Sequence, residues 1–232
     1  MIVFNGAALE TIAPVRIDDI KVSPIQRSVT ARQRPVQPGA DFVRVTEGSR
    51  TVTITFALLT NDANIRARQL ESISEWARSD TEGWLRLPSR PGMMLQCICT
   101  EFPAPSARQW WENKLRIVFT TYENPYWTDI AEKSAACGTA FTAMGSAPPL
   151  MRIERTLSAA ASNQSYSDGT NTATFSTIPA GDLVLDLNRQ TAAVGNTSIM
   201  QYYAFGGSFP IPKVGSQTIT GTGTVKWRER WA

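Results

Sequence analysis

Histidine is absent from the 232 residues. Its absence removes the commonest general base and the commonest metal ligand together. A serine nucleophile would find no imidazole here to take its proton. Cysteine is scarce, with Cys97, Cys99 and Cys137 the only three. An odd number argues against a disulfide framework and suggests a reducing compartment. In MLQCICT, Cys97 and Cys99 stand two apart in a strand-like stretch, so both side chains face one way. Small apolar packing accounts for the pair better than a metal site, because zinc usually takes four ligands. No apolar run approaches the ~20 residues needed to cross a bilayer. MIVFNGAALE carries no basic n-region and no long apolar core, which argues against a secretory signal.

Charge of one sign is also missing. The chain has 23 basic and 20 acidic residues, a net charge of +3. That balance is too even to imply a grip on nucleic acid. GTGT at 221–224 lies between strand-like stretches with no helix after it, so it is not a phosphate-cradling loop. No local pattern pairs two carboxylates as a glycosidase would. Asp18 and Asp19 are adjacent in an expected edge strand, and neighbours on a strand point to opposite faces. The reading is of a protein with no enzymatic activity, no cofactor and no metal.

What is present is a mainly β chain with one helix. MIVF begins a strand, and Asn5-Gly6 turns it. VRIDDIKVS is extended and stops at Pro24. In TVTITFALL, Val52, Ile54, Phe56 and Leu58 alternate with smaller residues, a period of two rich in β-branched side chains. Together with ARQRPVQPGADFVRVTEGSR before it, this reads as a long hairpin over residues 25–58. Its stem is basic, with Arg27, Arg32, Arg34, Arg44 and Arg50, and it carries Phe42. The spacing predicts a helix from Asn61 to Ser79, capped by Asn61, Asp62 or Asn64. Its apolar stripe is Ile65, Leu70, Ile73, Trp76 and Ala77. Strands follow at 84–87, 93–100 and 114–122.

Near residue 130 the composition shifts. Residues 131–149 and 158–177 are small and polar, with Asp168-Gly169 a hairpin turn. Strand-like stretches return in DLVLDLNRQ, TAAVGN and SIMQYYAFG. Turns recur at short intervals with no helical period, the pattern of a β-sandwich or barrel. The chain is therefore divided into residues 1–130 and 131–232, with FTTYENPYWTDI as the joint. Pro125 cannot donate to a ladder and biases Asn124 to extended geometry, so the strand stops there. Tyr126 and Trp127 either pack between the domains or cap the core of the first.

Exposed aromatics are the remaining signal. Trp110 and Trp111 are placed at a loop-to-strand junction. One can enter the core, leaving the other for a partner surface or a sugar, or neighbouring loops bury both. In WRERWA, Trp227 and Trp231 are four apart on one strand face, suited to packing. Tyr202 and Tyr203 join Trp227 as candidates for partner or sugar contact.

The order of these features resembles the distal tail protein family of long-tailed, non-contractile bacteriophages. Three stretches carry the resemblance in the first half. They are Phe4-Asn5-Gly6 on the first strand, GSRTVTITFALL followed by a helix with a Trp near its end, and Tyr122-Glu123-Asn124-Pro125-Tyr126. GDLVLDLNRQTAAVGN and SFPIPKVGSQTITGTGT followed by VKWRERWA carry it in the second. Residues 132–180 match least.

The resemblance implies a tail-tube-like N-terminal β-sandwich plus helix and a galectin-like C-terminal β-sandwich. It implies a virion structural protein of the tail tip or baseplate, assembled in the host cytoplasm. There it would form a hexameric ring that joins the tail tube protein to the tail-tip hub or fibre protein. The lumen would let genome DNA pass on ejection, close to the wall without specific contact, and no membrane anchor is expected. Residues 1–130 carry 15 basic and 14 acidic side chains, and that balance suits a wall along which DNA slides. Arg32, Arg34, Phe42, Arg44 and Arg50 would then lie on an arm that crosses between subunits. The alternative is a carbohydrate-binding module that attaches the particle to a host surface.

Overall fold

The computed structural model describes residues 1–33 and 40–232. The chain divides into two compact units, Met1–Trp127 and Thr128–Ala232.

The first unit begins with β1 (Val3–Phe4), β2 (Ala7–Ala8) and the short helix α1 (Leu9–Ile12). β3 (Val15–Val22), β4 (Arg27–Gln33), β5 (Ala40–Glu47) and β6 (Thr51–Leu58) follow. Then come α2 (Ala63–Ala77), β7 (Gly83–Arg86), β8 (Met93–Glu101), α3 (Ala107–Glu112) and β9 (Leu115–Thr120). β10 (Trp127–Asp129) straddles the division.

The ladders that join β1, β2, β3, β6, β7, β8 and β9 are antiparallel. β8 is shared between two sheets. Its first half pairs with β7, which pairs with β1. Its second half pairs with β9, then β6, then the edge strand β3. Asn5 and Gly6, both at positive φ (49° and 87°), close the tight turn between β1 and β2. Asn-Gly is the pair such a turn favours.

α2 starts where Asp62 accepts from the amides of Asn64 (2.8 Å) and Ile65 (3.0 Å). These are donors a helix leaves unsatisfied at its start. Leu70, Ile73 and Ala77 are buried, whereas Ile65 is exposed, so the apolar stripe begins one turn later than its spacing suggests. Trp76 fixes the helix to both sheets. Its ring meets Phe4 at 6.0 Å and Phe119 at 6.1 Å, and its indole donates to the Ala7 carbonyl at 2.9 Å.

Two expectations change here. Asp18 and Asp19 are both exposed, because a bulge between Ile17 and Asp19 breaks the alternation. Trp110 and Trp111 lie within α3, not at a junction. Ser106 and Gln109 make a reciprocal capping box that starts this helix.

The second unit contains β11 (Lys133–Ala136), β12 (Ala140–Ala143), β13 (Ala147–Leu157), β14 (Ala161–Ser167) and β15 (Thr172–Ile178). β16 (Gly181–Asp186), β17 (Thr191–Val194), β18 (Thr197–Ser198), β19 (Gly215–Thr218) and β20 (Thr224–Trp231) complete it. One layer runs β18-β17-β16-β13-β20-β11. Against it lie two hairpin-like pairs, β12 with β19 and β14 with β15.

The core between these layers holds Ile153, Leu183, Leu185, Val225 and Trp227 from the first, and Phe141, Tyr166 and Phe175 from the second. Trp227 stacks on Phe141 with ring centres 4.4 Å apart. The architecture is the mainly β one that the sequence implies. SIMQYYAFG is the exception: after Ser198, the last residue of β18, it forms a 3-10 turn at Met200–Tyr202 rather than a strand.

Candidate functional site

The long hairpin is shorter than the sequence suggests. β6 belongs to the body of the first unit, paired on both sides with β3 and β9. The projecting element is the β4–β5 ribbon alone. It leaves the sheet between two paired strands, since Val22 faces Val52 across the β3–β6 ladder. Its root is tied by the Ser23 amide to the Thr51 carbonyl (2.8 Å) and by the Gly48 amide to the Gln26 carbonyl (2.8 Å). Arg27 pairs with Glu47 at 3.0 Å, and the Tyr126 hydroxyl also donates to Glu47.

Beyond the root, among the described residues, β4 and β5 pair only with each other. Opposite residues of an antiparallel ladder share a face. Val29 therefore sits beside Val45 and Ala31 beside Phe42, with Val43 as the extra residue of a bulge. Ser28–Thr46 and Thr30–Arg44 form the other face. The ribbon is amphipathic, yet none of the described residues of its own unit covers the apolar side. Val29 is 62% exposed, Phe42 66% and Val45 44%. An isolated two-stranded ribbon is marginal in water, and a row of exposed apolar side chains on it is what a partner surface covers.

The expected arm residues distribute as follows. Arg32, Phe42 and Arg44 are on the ribbon and exposed. Arg34 lies outside the described residues. Arg50 is not on the arm surface: it is 5% exposed at the root, where its amide donates to Thr121 Oγ1 at 2.9 Å. The cause is its phase. Val52, Ile54 and Phe56 face inward at even positions, and Arg50 continues the same register. Burial lowers the proton affinity of its guanidinium, and the nearby Arg90 lowers it further.

At the joint, Trp127 is 2% exposed and packs within the first unit, with Arg50 at 6.0 Å and Arg90 at 5.0 Å from its ring centre. Tyr126 is half-buried, and Pro125 is buried beside it. Asn124 holds the turn, accepting from the Tyr126 amide at 3.3 Å. On α3 the aromatics divide: Trp110 is half-buried under the Arg66 guanidinium, 4.8 Å from its ring, whereas Trp111 is 86% exposed.

In the second unit, Trp227 is buried in the sandwich core, so its indole is not a surface platform. Tyr202 and Tyr203 are half-buried beside that core. Tyr203 packs on Phe175 and Phe209 and, with Asn171, Gln190 and Ser208, lines an open cleft of about 320 Å³. The outer face of the main layer is a closed ion network. Arg152 joins Glu132 (2.7 Å) and Glu154 (2.6 Å), and Lys226 joins Glu154 (2.7 Å).

Cys97 and Cys99 are buried. Desolvation pushes both thiols up, Cys99 to about 11. Among the described residues no three His, Cys, Asp or Glu side chains converge as a metal would need.

No family model matches the sequence, and neither does any curated protein. Solved structures do. The Dit protein of phage SPP1, described as a hub adsorption apparatus of phages infecting Gram-positive hosts, superposes with a TM-score of 0.76 at 14% identity. The alignment spans 100% of this chain and 98% of that one. The phage P2 baseplate in its activated conformation, solved with Ca and with Sr, matches at a TM-score of 0.52 and 9% identity, over 94% of this chain and 91% of that one. The chain has the fold of the SPP1 Dit protein along its full length.

Proposed function

We propose that this chain is a structural protein of a phage tail tip, residing in the virion, which assembles as a closed ring of identical copies through its β4–β5 arm. The uncovered apolar face of that arm, on a fold shared with the SPP1 Dit protein, is the observation that carries the reading. An arm that binds a different patch on the next copy makes a heterologous contact, and repetition around a closed rotation gives a ring. The exposed ladder edges of β4 and β5 gain partners at the same step. A hexameric ring would join the tail tube protein above to the hub or fibre protein below and leave a lumen for DNA.

Electron microscopy of the purified protein tests this. Annular particles with an open centre are expected from the full chain, and single bodies from a chain lacking residues 30–48. Single bodies from both would overturn it.

A further inference from the structure

Arg50 presents an unresolved electrostatic problem. It is almost fully buried, and its Nε and Nη1 have no hydrogen-bond partner among the described residues. A buried cation without a counter-charge is costly, and one left unpaired in a fold points to an anion that completes it. A second guanidinium, Arg90, lies against the same Trp127 ring. It stands on the exposed turn between β7 and β8, close enough to depress the proton affinity of Arg50. Two like charges held together on one indole repel, and the ring's π face offsets only part of this.

The carboxylates of this region are already engaged. Glu47 takes Arg27 and Tyr126, and Glu82 takes the backbone amides of Tyr122 (2.5 Å) and Glu123 (3.3 Å). Among the described residues neither Arg50 nor Arg90 makes an ion pair.

We propose that Arg50 and Arg90, set on Trp127, form a binding site for one oxyanion of carboxylate or sulfate type. Guanidinium N–H groups match the paired oxygens of such an anion. The Trp127 ring, which both guanidiniums approach, helps to keep the two cations near each other. Arg90, being exposed, moves to admit the anion, and buried Arg50 supplies the inner contact. The anion is either free in solution or a carboxylate of a second copy of this chain. The site itself does not depend on ring formation, since all of its residues belong to one unit of one chain.

Titration of the full chain with sodium sulfate, followed by NMR of the Arg50 Nε–H and the Trp127 indole N–H, tests the proposal. Sodium chloride at equal ionic strength is the control. Saturable shifts with sulfate only are expected, with affinity at least ~10-fold weaker in Arg90→Gln and saturation lost in Arg50→Met. No saturable shift, or shifts unchanged in Arg90→Gln, overturns it. If Arg50→Met fails to fold, Arg50→Lys takes its place, and retained sulfate affinity in that variant also counts against the site. Light scattering of Arg90→Gln separates the two sources. Loss of self-association assigns the anion to a second copy, and unchanged association assigns it to solution. Both results keep the site, and neither bears on whether the arm makes a ring.

Discussion

Val29 and Val45 face each other across the β4–β5 ladder, and each remains exposed to solvent in the single chain. A cross-strand apolar pair stabilises a ribbon only modestly, by about 0.2–1 kcal/mol. The backbone amides of this ribbon should therefore exchange quickly in the isolated chain and become protected on assembly. Hydrogen exchange at low and high protein concentration measures this. Equal protection at both concentrations would show that the arm is covered by its own body.

Asp168 organises the β14–β15 turn. It accepts from the amides of Thr170 (2.8 Å), Asn171 (2.7 Å) and Ile211 (2.9 Å). Burial alone would raise its pKa, but these bonds outweigh it and hold the carboxyl well below its ordinary range. The folded value is depressed, so the contribution is present above the unfolded value of about 3.9 and is lost as pH falls below it. Asp168→Asn should destabilise the second unit by about 1–2 kcal/mol at neutral pH. It should also flatten the loss of stability below about pH 4. Urea unfolding at several pH values checks both.

Gly145 has φ near 118°, and a Cβ there would lie 2.3 Å from the Arg230 carbonyl oxygen. The obstacle is backbone, which cannot swing away as a side chain can. Gly145→Ala should therefore cost about 1–3 kcal/mol through strain and the displaced end of β20. Gly138→Ala, also at positive φ but with open space around it, should cost less. Thermal unfolding of the two variants compares them.

Trp227 and Trp111 give a contrasting pair. Trp227→Ala opens the sandwich core where Phe141 stacks and should cost about 3–5 kcal/mol. Trp111→Ala on exposed α3 should change the stability of the single chain by less than about 0.5 kcal/mol.

Much of the fold is legible in the residues. β6 shows itself by strict alternation, α2 by its stripe and by Asp62, and the β1–β2 and β14–β15 turns by Asn5-Gly6 and Asp168-Gly169. α3 was less visible, because a six-residue helix after two prolines reads as loop. The Ser106-x-x-Gln109 signature was the signal that could have found it. The bulge at Asp18 could not be foreseen, since a one-residue slip leaves no mark in composition.

The arm is a mixed case. Its existence and most of its residues follow from the sequence. Arg50 carries the charge of the basic stem but stands in phase with Val52, and the phase decides its burial. That β6 belongs to the body depends on β9, a partner about sixty residues away in sequence, and no local pattern encodes it.

Multi-angle light scattering of the full chain against Val29→Asp/Val45→Asp over a range of concentrations tests the arm most directly. Both side chains are exposed in the single chain, so the double variant should fold normally. The wild type should reach a closed oligomer of fixed mass, while the variant stays monomeric with an unchanged circular dichroism spectrum. A wild type that remains monomeric at every concentration, or a variant that assembles equally well, contradicts the account.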